Sequence, residues 1–303
     1  MPLPQVCIFL ALFLKLSILT IQTAFTYITG TISELYDERE AANIAHIIME
    51  HLTGMSKLDR IVHKTKILSP DQNNRLKLAI EALQRQEPVQ YITGSSWFYG
   101  MELMVNKDVL IPRPETEELV EWMVHDAAHR HRLQLLDIGT GSGCIPLALK
   151  KALPDAQVSA IDVSEGALHV ARTNASRLRL EVNFIHMDAL DAQQVATLPE
   201  FDMIVSNPPY ITQSEQTSMQ ERVWGYEPSL ALFVPDNDAL LFYRHITILA
   251  KSKLQPGGAL YFEINEALGK EVVALMEEHG FQQVTLKQDM FGKDRMVKGE
   301  ISD

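Results

Sequence analysis

From Leu133 to the C-terminus, short apolar runs alternate with helical stretches, and this alternation limits the fold more than any other feature of the chain. The runs stand at residues 133–138, 158–161, 182–185, 203–205 and 259–264, and helical patterns intervene at about 144–152, 164–177, 238–254 and 266–279. Strands that are apolar on both faces and separated by helices belong in a parallel sheet covered on both sides. A last pair of runs, 283–286 and 295–298, has no helix between its members and reads as an antiparallel hairpin at one sheet edge. The expectation is an α/β fold with a mostly parallel sheet.

The first part of the chain has a different texture. From Thr31 to about Pro88 the pattern is helical: Ile44, Ile47, Ile48 and Leu52 share one helix face, with Gly54 as a C-cap. Ser69-Pro70-Asp71-Gln72 has the form of a capping box with proline at the first helical position, and Leu76, Ile80 and Leu83 continue an apolar stripe. Residues 24–90 are therefore expected to be a small helical domain, 91–112 a β-hairpin linker, and 113–303 the α/β domain, opening with a helix over about 115–129. Trp97-Phe98-Tyr99 reads as hairpin packing, with a stacking platform as the other possibility. The acidic run Glu34, Asp37, Glu38 and Glu40 reads as a solvated helix face. Residues 1–23 stand apart, because Val6 to Ile21 is almost continuously apolar with Lys15 in the middle. A start-site extension, a packed N-terminal helix and a membrane or export segment remain open for it.

Four stretches carry chemistry. Leu135-Leu136-Asp137-Ile138-Gly139-Thr140-Gly141-Ser142-Gly143 lies where the first strand of the α/β unit turns into its first helix. Glycines there allow a tight turn and let a ligand approach the backbone at a helix N-terminus. The spacing is GxGxG, and Asp137 adds a carboxylate that suits a ligand bearing an ammonium group. Asp162, closing the second strand, is placed to accept hydrogen bonds from two ribose hydroxyls; its other reading is a cap for the following helix. An ammonium partner plus a ribose partner describes S-adenosylmethionine better than a nicotinamide dinucleotide. Asp188, after the third strand, is either near the adenine or a plain loop carboxylate. After the fourth strand comes Ser206-Asn207-Pro208-Pro209-Tyr210. Two prolines stiffen the backbone, Asn207 offers an acceptor and a donor, and Tyr210 offers a flat face. Together they suit a planar group bearing NH2, either an amide or the exocyclic amine of a base.

With these motifs in this order, the chain resembles the HemK/PrmC family of S-adenosylmethionine-dependent methyltransferases, which modify the glutamine of the GGQ motif in peptide-chain release factors. The resemblance runs from about Ala24 to the C-terminus. It rests on the helical N-terminal domain, on Glu87-Pro88-Val89-Gln90-Tyr91-Ile92-Thr93-Gly94, and on Ile111-Pro112-Arg113-Pro114-Glu115-Thr116-Glu117. GTGSG, NPPY and Tyr226-Glu227-Pro228 with Ala231-Leu232 complete it. NPPY alone is shared with amine methyltransferases of DNA and RNA; its combination with IPRPETE and the helical domain is more specific.

The resemblance implies a class I methyltransferase fold, Rossmann-like with a seven-stranded sheet. It implies S-adenosyl-L-methionine as cofactor, S-adenosyl-L-homocysteine as product, and release factors as partners. Asp137, Gly139, Thr140, Gly141, Ser142, Gly143, Asp162, Asp188 and Asn207 would hold the cofactor. Asn207, Pro208, Pro209 and Tyr210 would hold the glutamine, with the Asn207 side chain and the Pro208 carbonyl accepting its two amide hydrogens. Arg113, Glu115 and Glu117 would line or support the cofactor entrance, or simply begin a helix. One departure is Ala189, where the family often has an aromatic residue beside the adenine.

The rest of the composition trims the alternatives. With 27 basic and 39 acidic residues the formal charge is −12, which disfavours an adenine-amine methyltransferase that grips nucleic acid by its phosphates. A non-catalytic S-adenosylmethionine binder would have no use for the acceptor slot at Asn207. Only two cysteines occur, Cys7 and Cys144, so no disulfide framework is expected and a reducing, cytoplasmic location is. Cys144 reads as a packing residue, and His125, His129 and His131 as a solvated helix end without metal. A monomer is expected, with no direct nucleic-acid partner and no membrane role for the enzyme body.

Overall fold

The structure, a computed structural model, describes residues 19–128, 130–218 and 225–302. The chain divides into two compact units, Met1–Thr93 and Gly94–Asp303.

The first unit is helical: α1 (Ile21–Ile32), α2 (Glu38–Thr53), α3 (Lys57–Val62), α4 (Pro70–Gln84) and α5 (Val89–Thr93). Its ends are capped by the residues the pattern named. Ser69 and Gln72 exchange bonds across the start of α4, and Gly54 closes α2 in the left-handed region at φ 64°. Ile44, Ile48 and Leu52 are buried with Ala41, Ala45 and Met49, whereas Ile47 faces solvent, so the buried stripe of α2 is narrower than the sequence pattern suggests. Asp37 is the α2 N-cap, accepting from the Glu40 amide, and Glu34 lies before the helix; the acidic run thus straddles a helix start instead of forming one face. The bundle also begins earlier than residue 24. Leu19 and Ile21 are buried in its core, and Thr20 caps α1 and bridges to Ile67, so the packing reaches back to residue 19. The remainder of that apolar stretch, 1–18, lies outside the described residues.

The second unit opens with a hairpin narrower than 91–112, since Tyr91 to Thr93 are helical. Strands β1 (Ser95–Phe98) and β2 (Met101–Met104) are joined by Tyr99 and Gly100, both at positive φ, as a two-residue turn requires. Phe98 is buried and Tyr99 packs beside it, but Trp97 is 69% exposed, as strand alternation dictates for the neighbour of a buried residue.

After α6 (Pro114–Asp126) the sheet follows: β3 (Gln134–Ile138), α7 (Cys144–Ala152), β4 (Gln157–Asp162), α8 (Glu165–Leu178), β5 (Asn183–His186), α9 (Ala192–Ala196) and β6 (Phe201–Ser206). Then come a small pair β7 (Ile211–Thr212) and β8 (Phe233–Val234) around α10 (Ser229–Leu232), followed by α11 (Leu241–Lys253), β9 (Leu254–Glu263), α12 (Gly269–Glu278), β10 (Gln282–Gln288) and β11 (Asp294–Glu300). The strand order β10-β11-β9-β6-β3-β4-β5 has β9, β6, β3, β4 and β5 parallel, with β11 and β10 antiparallel at one edge. The expected α/β, Rossmann-like fold with a mostly parallel seven-stranded sheet is therefore observed. Strand β9 starts at Leu254, before Pro256-Gly257-Gly258, where the pairing with β6 is irregular; proline and glycines hid this start in the sequence.

Alternate residues of each central strand feed two cores. Leu135, Met203, Val205 and Tyr261 join the cluster on one face, and Leu136, Ile138, Ile204 and Phe262 the cluster on the other. Removing one fully buried side chain such as Leu136 would cost about 2–5 kcal/mol. Topology fixes where a ligand can sit. The chain leaves β3 toward β4 and later returns to β6 on the other side, so a crevice opens beyond the carboxyl ends of β3 and β6.

Candidate active site

The glycine loop follows β3 at the bottom of that crevice. Gly139 and Gly141 have φ of 77° and 53°, and a Cβ on either would meet nothing within 4 Å, so the loop combines a left-handed backbone with open space above it. Gly143 is the N-cap of α7. The loop is tied to β4 twice over: Gly139 and Thr140 amides donate to the Ile161 carbonyl at 2.9 and 3.1 Å, and the Gly141 amide donates to Asp162 Oδ2 at 2.8 Å. The second oxygen of Asp162 accepts from the Ser164 amide at 2.8 Å, while Ser164 itself caps α8.

Asp137 lies within β3, completely buried; the Thr140 hydroxyl stands beside it and favours its charged form, but neither carboxylate oxygen has a hydrogen bond of ordinary geometry among the described residues. Burial pushes its carboxyl up to about 7. The buried hydroxyls of Thr140 and Ser142 are likewise unpartnered. Orphaned polar groups are costly inside a protein, and three side chains of this kind at the end of β3 and in the loop after it call for a polar ligand. This donor and acceptor set fits the ammonium and carboxylate of S-adenosyl-L-methionine.

One cleft brings most of the expected residues together. Gly139, Thr140, Gly141, Ser142, Asp162, Asp188, Asn207, Pro208 and Pro209 all line it. Asp137 and Gly143 do not border it, and neither does Tyr210, which packs against the apolar cluster that includes Tyr243. Burial raises the Tyr210 hydroxyl well above its ordinary value, so it stays a neutral phenol. Asp188 uses one oxygen to accept from the Leu190 amide at 2.9 Å. Next to it, Ala189 leaves the apolar wall to Met187, Phe242 and Ile246. Cys144 also borders the cleft, with its thiol pushed up to about 12 by burial, which makes it a protonated packing residue. His125 and His131 are exposed, His129 lies outside the described residues, and no metal-ligating cluster occurs among those described.

The segment before and into α6 is bound into the site more tightly than its sequence shows. Arg113 lines the cleft and donates to buried Glu227 at 2.6 Å, and Glu227 also accepts from the Ile111 amide. Thr116 donates its hydroxyl proton to Glu263 Oε2 at 2.6 Å, and Asn207 Nδ2 approaches the same hydroxyl oxygen at 3.4 Å. Glu117 turns the other way and accepts from the Tyr99 amide at 2.9 Å, so it supports the hairpin. Glu227, Glu263 and Asn174, whose amide spans the Met104 backbone and the Ser142 carbonyl, have roles that the sequence pattern by itself does not assign. For Glu227 the Tyr-Glu-Pro match was a signal; for Glu263 the only signal was a carboxylate ending an apolar strand.

Comparison with known proteins gives a consistent picture. The PrmC N-terminal domain family matches residues 24–94, and the Methyltransferase small domain family matches residues 115–224. The chain is 44% identical over 276 residues to a release factor glutamine methyltransferase of Flavobacterium psychrophilum, covering 90% of this chain and 96% of that protein. It is 44% identical over 271 residues to a protein of the same description from Bacteroides thetaiotaomicron, covering 89% and 96%. A solved methyltransferase from Pyrococcus furiosus, 16% identical, aligns with a TM-score of 0.50 over 78% of this chain and 100% of its own, a likeness of fold alone.

Proposed function

We propose, for a chain that belongs to the release factor glutamine methyltransferase family, a division of labour between the loop after β3 and the loop after β6. The activity is methyl transfer from S-adenosyl-L-methionine to the side-chain amide nitrogen (N5) of a release-factor glutamine, that of the GGQ motif. What supports the reading is one observation: Asn207, Pro208 and Pro209 border the same cleft as the glycine loop and Asp162.

S-adenosyl-L-methionine supplies an electrophilic methyl on its sulfonium and leaves as S-adenosyl-L-homocysteine. Asp137, Thr140 and Ser142 hold its amino-acid end, Gly139, Gly141 and Gly143 shape the loop beneath it, Asp162 its ribose, and Asp188 its adenine side. An amide nitrogen is a poor nucleophile because its lone pair is shared with the carbonyl, so orientation is the chief contribution of the protein. The carbonyl of the Asn207 side chain and the backbone carbonyl of Pro208 accept the two amide hydrogens, while Tyr210, turned into the apolar cluster, anchors the loop that carries them. Acceptance of both hydrogens raises electron density on nitrogen as positive charge develops there. Right after transfer the methylated nitrogen carries a positive charge and is strongly acidic, so it gives one proton to water without a strong base and leaves the neutral N-methyl amide; no histidine is needed at Asn207. We assign the helical unit to docking the release factor, since one glutamine must be chosen among many, and we place the enzyme in the cytoplasm as a monomer. Among the described residues, no helix is long and apolar enough to cross a membrane.

Incubation with labelled S-adenosyl-L-methionine and purified release factor tests the reading. Label on the wild-type factor and not on its GGQ-to-GGA variant is expected. Label on DNA or rRNA instead would overturn the substrate while keeping the amine chemistry.

A further inference from the structure

Behind Asn207, the first turn of α6 meets the end of β9. Thr116 is buried there, 2% exposed, and Glu263 is equally enclosed. The Thr116 hydroxyl donates to Glu263 at 2.6 Å while Asn207 Nδ2 stands 3.4 Å from the same oxygen. A hydroxyl has a single proton. Once that proton is given to the carboxylate, the oxygen can only accept, and only the NH2 end of the Asn207 amide fits against it. The carbonyl end is left for the cleft.

We propose that Glu263, acting through Thr116, is a positioning residue that fixes which end of the Asn207 amide faces the substrate. This rests on the reading of Asn207 as acceptor for the glutamine amide. A reversed Asn207 would set its NH2 against the substrate NH2, two donors facing each other, and the amide would lose its in-line orientation. The relay depends on the ionised form of Glu263. Facing that carboxylate are Arg113 and Glu115 from the start of α6, Arg295 from β11, Tyr210 after β6, Tyr243 from α11 and Cys144 from the start of α7. Burial pushes Glu263 up to about 7 against the pull of Thr116 and the two arginines. A protonated Glu263 would donate to Thr116, whose own proton would then point at Asn207 and favour the reversed amide.

The test is a cycle of Thr116→Val, Thr116→Ser, Asn207→Ala and the double variant Thr116→Val/Asn207→Ala, read as single-turnover methyl transfer to release factor at saturating cofactor. Cofactor affinity by calorimetry and the unfolding midpoint establish that each variant is folded. Thr116→Val should lower the rate about tenfold, the effect of about one misplaced hydrogen bond, with cofactor affinity unchanged. Thr116→Ser should recover most of that loss, and Thr116→Val should cost nothing further in Asn207→Ala. The wild-type rate should fall as pH drops through about 7, and this limb should vanish in Thr116→Val. An equal loss in the Asn207→Ala background, a Thr116→Ser as slow as Thr116→Val, or a persisting limb would overturn the relay. Wild-type transfer by Asn207→Ala itself would instead overturn the role of Asn207.

Discussion

Asp162 Oδ2 accepts a hydrogen bond from the Gly141 amide at 2.8 Å, so the carboxylate assigned to the ribose also clamps the glycine loop against β4. Its other oxygen holds the Ser164 amide at the start of α8. One side chain thus joins the loop, the strand end and the next helix, and leaves its remaining lone pairs to the cleft.

Asp162→Ala frees both amides and removes the ribose acceptor. Cofactor affinity by calorimetry should fall about tenfold or more, and stability by about 1–3 kcal/mol. Asn207→Ala should leave the affinity nearly unchanged. Equal losses in the two variants would contradict the assigned division between cofactor and substrate residues.

The charge state of Asp137 gives a pH prediction. Its folded value is pushed up to about 7 by burial, against about 3.9 for an unfolded aspartate. A raised value stabilises the cofactor-free protein below about pH 4, and that contribution is lost as pH climbs to about 7. Holding an ammonium group needs the ionised form, so cofactor affinity should run the other way and rise over this window. The thermal shift produced by S-adenosyl-L-methionine should therefore widen from about pH 5 to about pH 7, and should become flat in Asp137→Asn. A constant shift in the wild-type protein would remove Asp137 from the ammonium site.

Glu227 is buried and pairs with Arg113, whose side chain is 36% exposed. Glu227→Ala leaves the Ile111 amide and the guanidinium without this partner. We expect a loss of about 2 kcal/mol, below the full cost of breaking a buried pair because Arg113 keeps access to water. Chemical denaturation measures it; an unchanged midpoint would mean that the segment before α6 is held by its prolines alone.

The hairpin separates its two neighbouring aromatics. Phe98→Ala should cost about 3–5 kcal/mol, and Trp97→Ala less than about 0.5 kcal/mol. Comparable losses would show that Trp97 packs after all.

Much of this fold is legible in the sequence because β3, β4 and β6 are apolar on both faces, and such runs alternating with helices leave few alternatives. The cleft is legible because its motifs follow strand ends: the glycines after β3, Asp162 at the end of β4, and Asn207 after β6. What the sequence hides is long-range or face-specific. Glu263 meets Thr116 across 147 positions, and nothing around Tyr261-Phe262-Glu263 marks the carboxylate as a partner of the site. Asn174, 70 positions from Met104, is hidden in the same way. Ile47 and Trp97 have the composition of core residues, but their element phase turns them to solvent. Tyr210 continues a motif whose prolines and asparagine line the cleft, yet its ring leaves that wall for the apolar cluster.

The most direct measurement is peptide mapping of a release factor after reaction with S-adenosyl-L-methionine and the wild-type enzyme. One added methylene is expected on the peptide that carries the GGQ sequence, located on the glutamine side chain, and about a hundredfold less of it in the same time when Asn207→Ala replaces the enzyme. A methyl group on another residue, or an unmodified factor beside methylated adenine in nucleic acid, would contradict it.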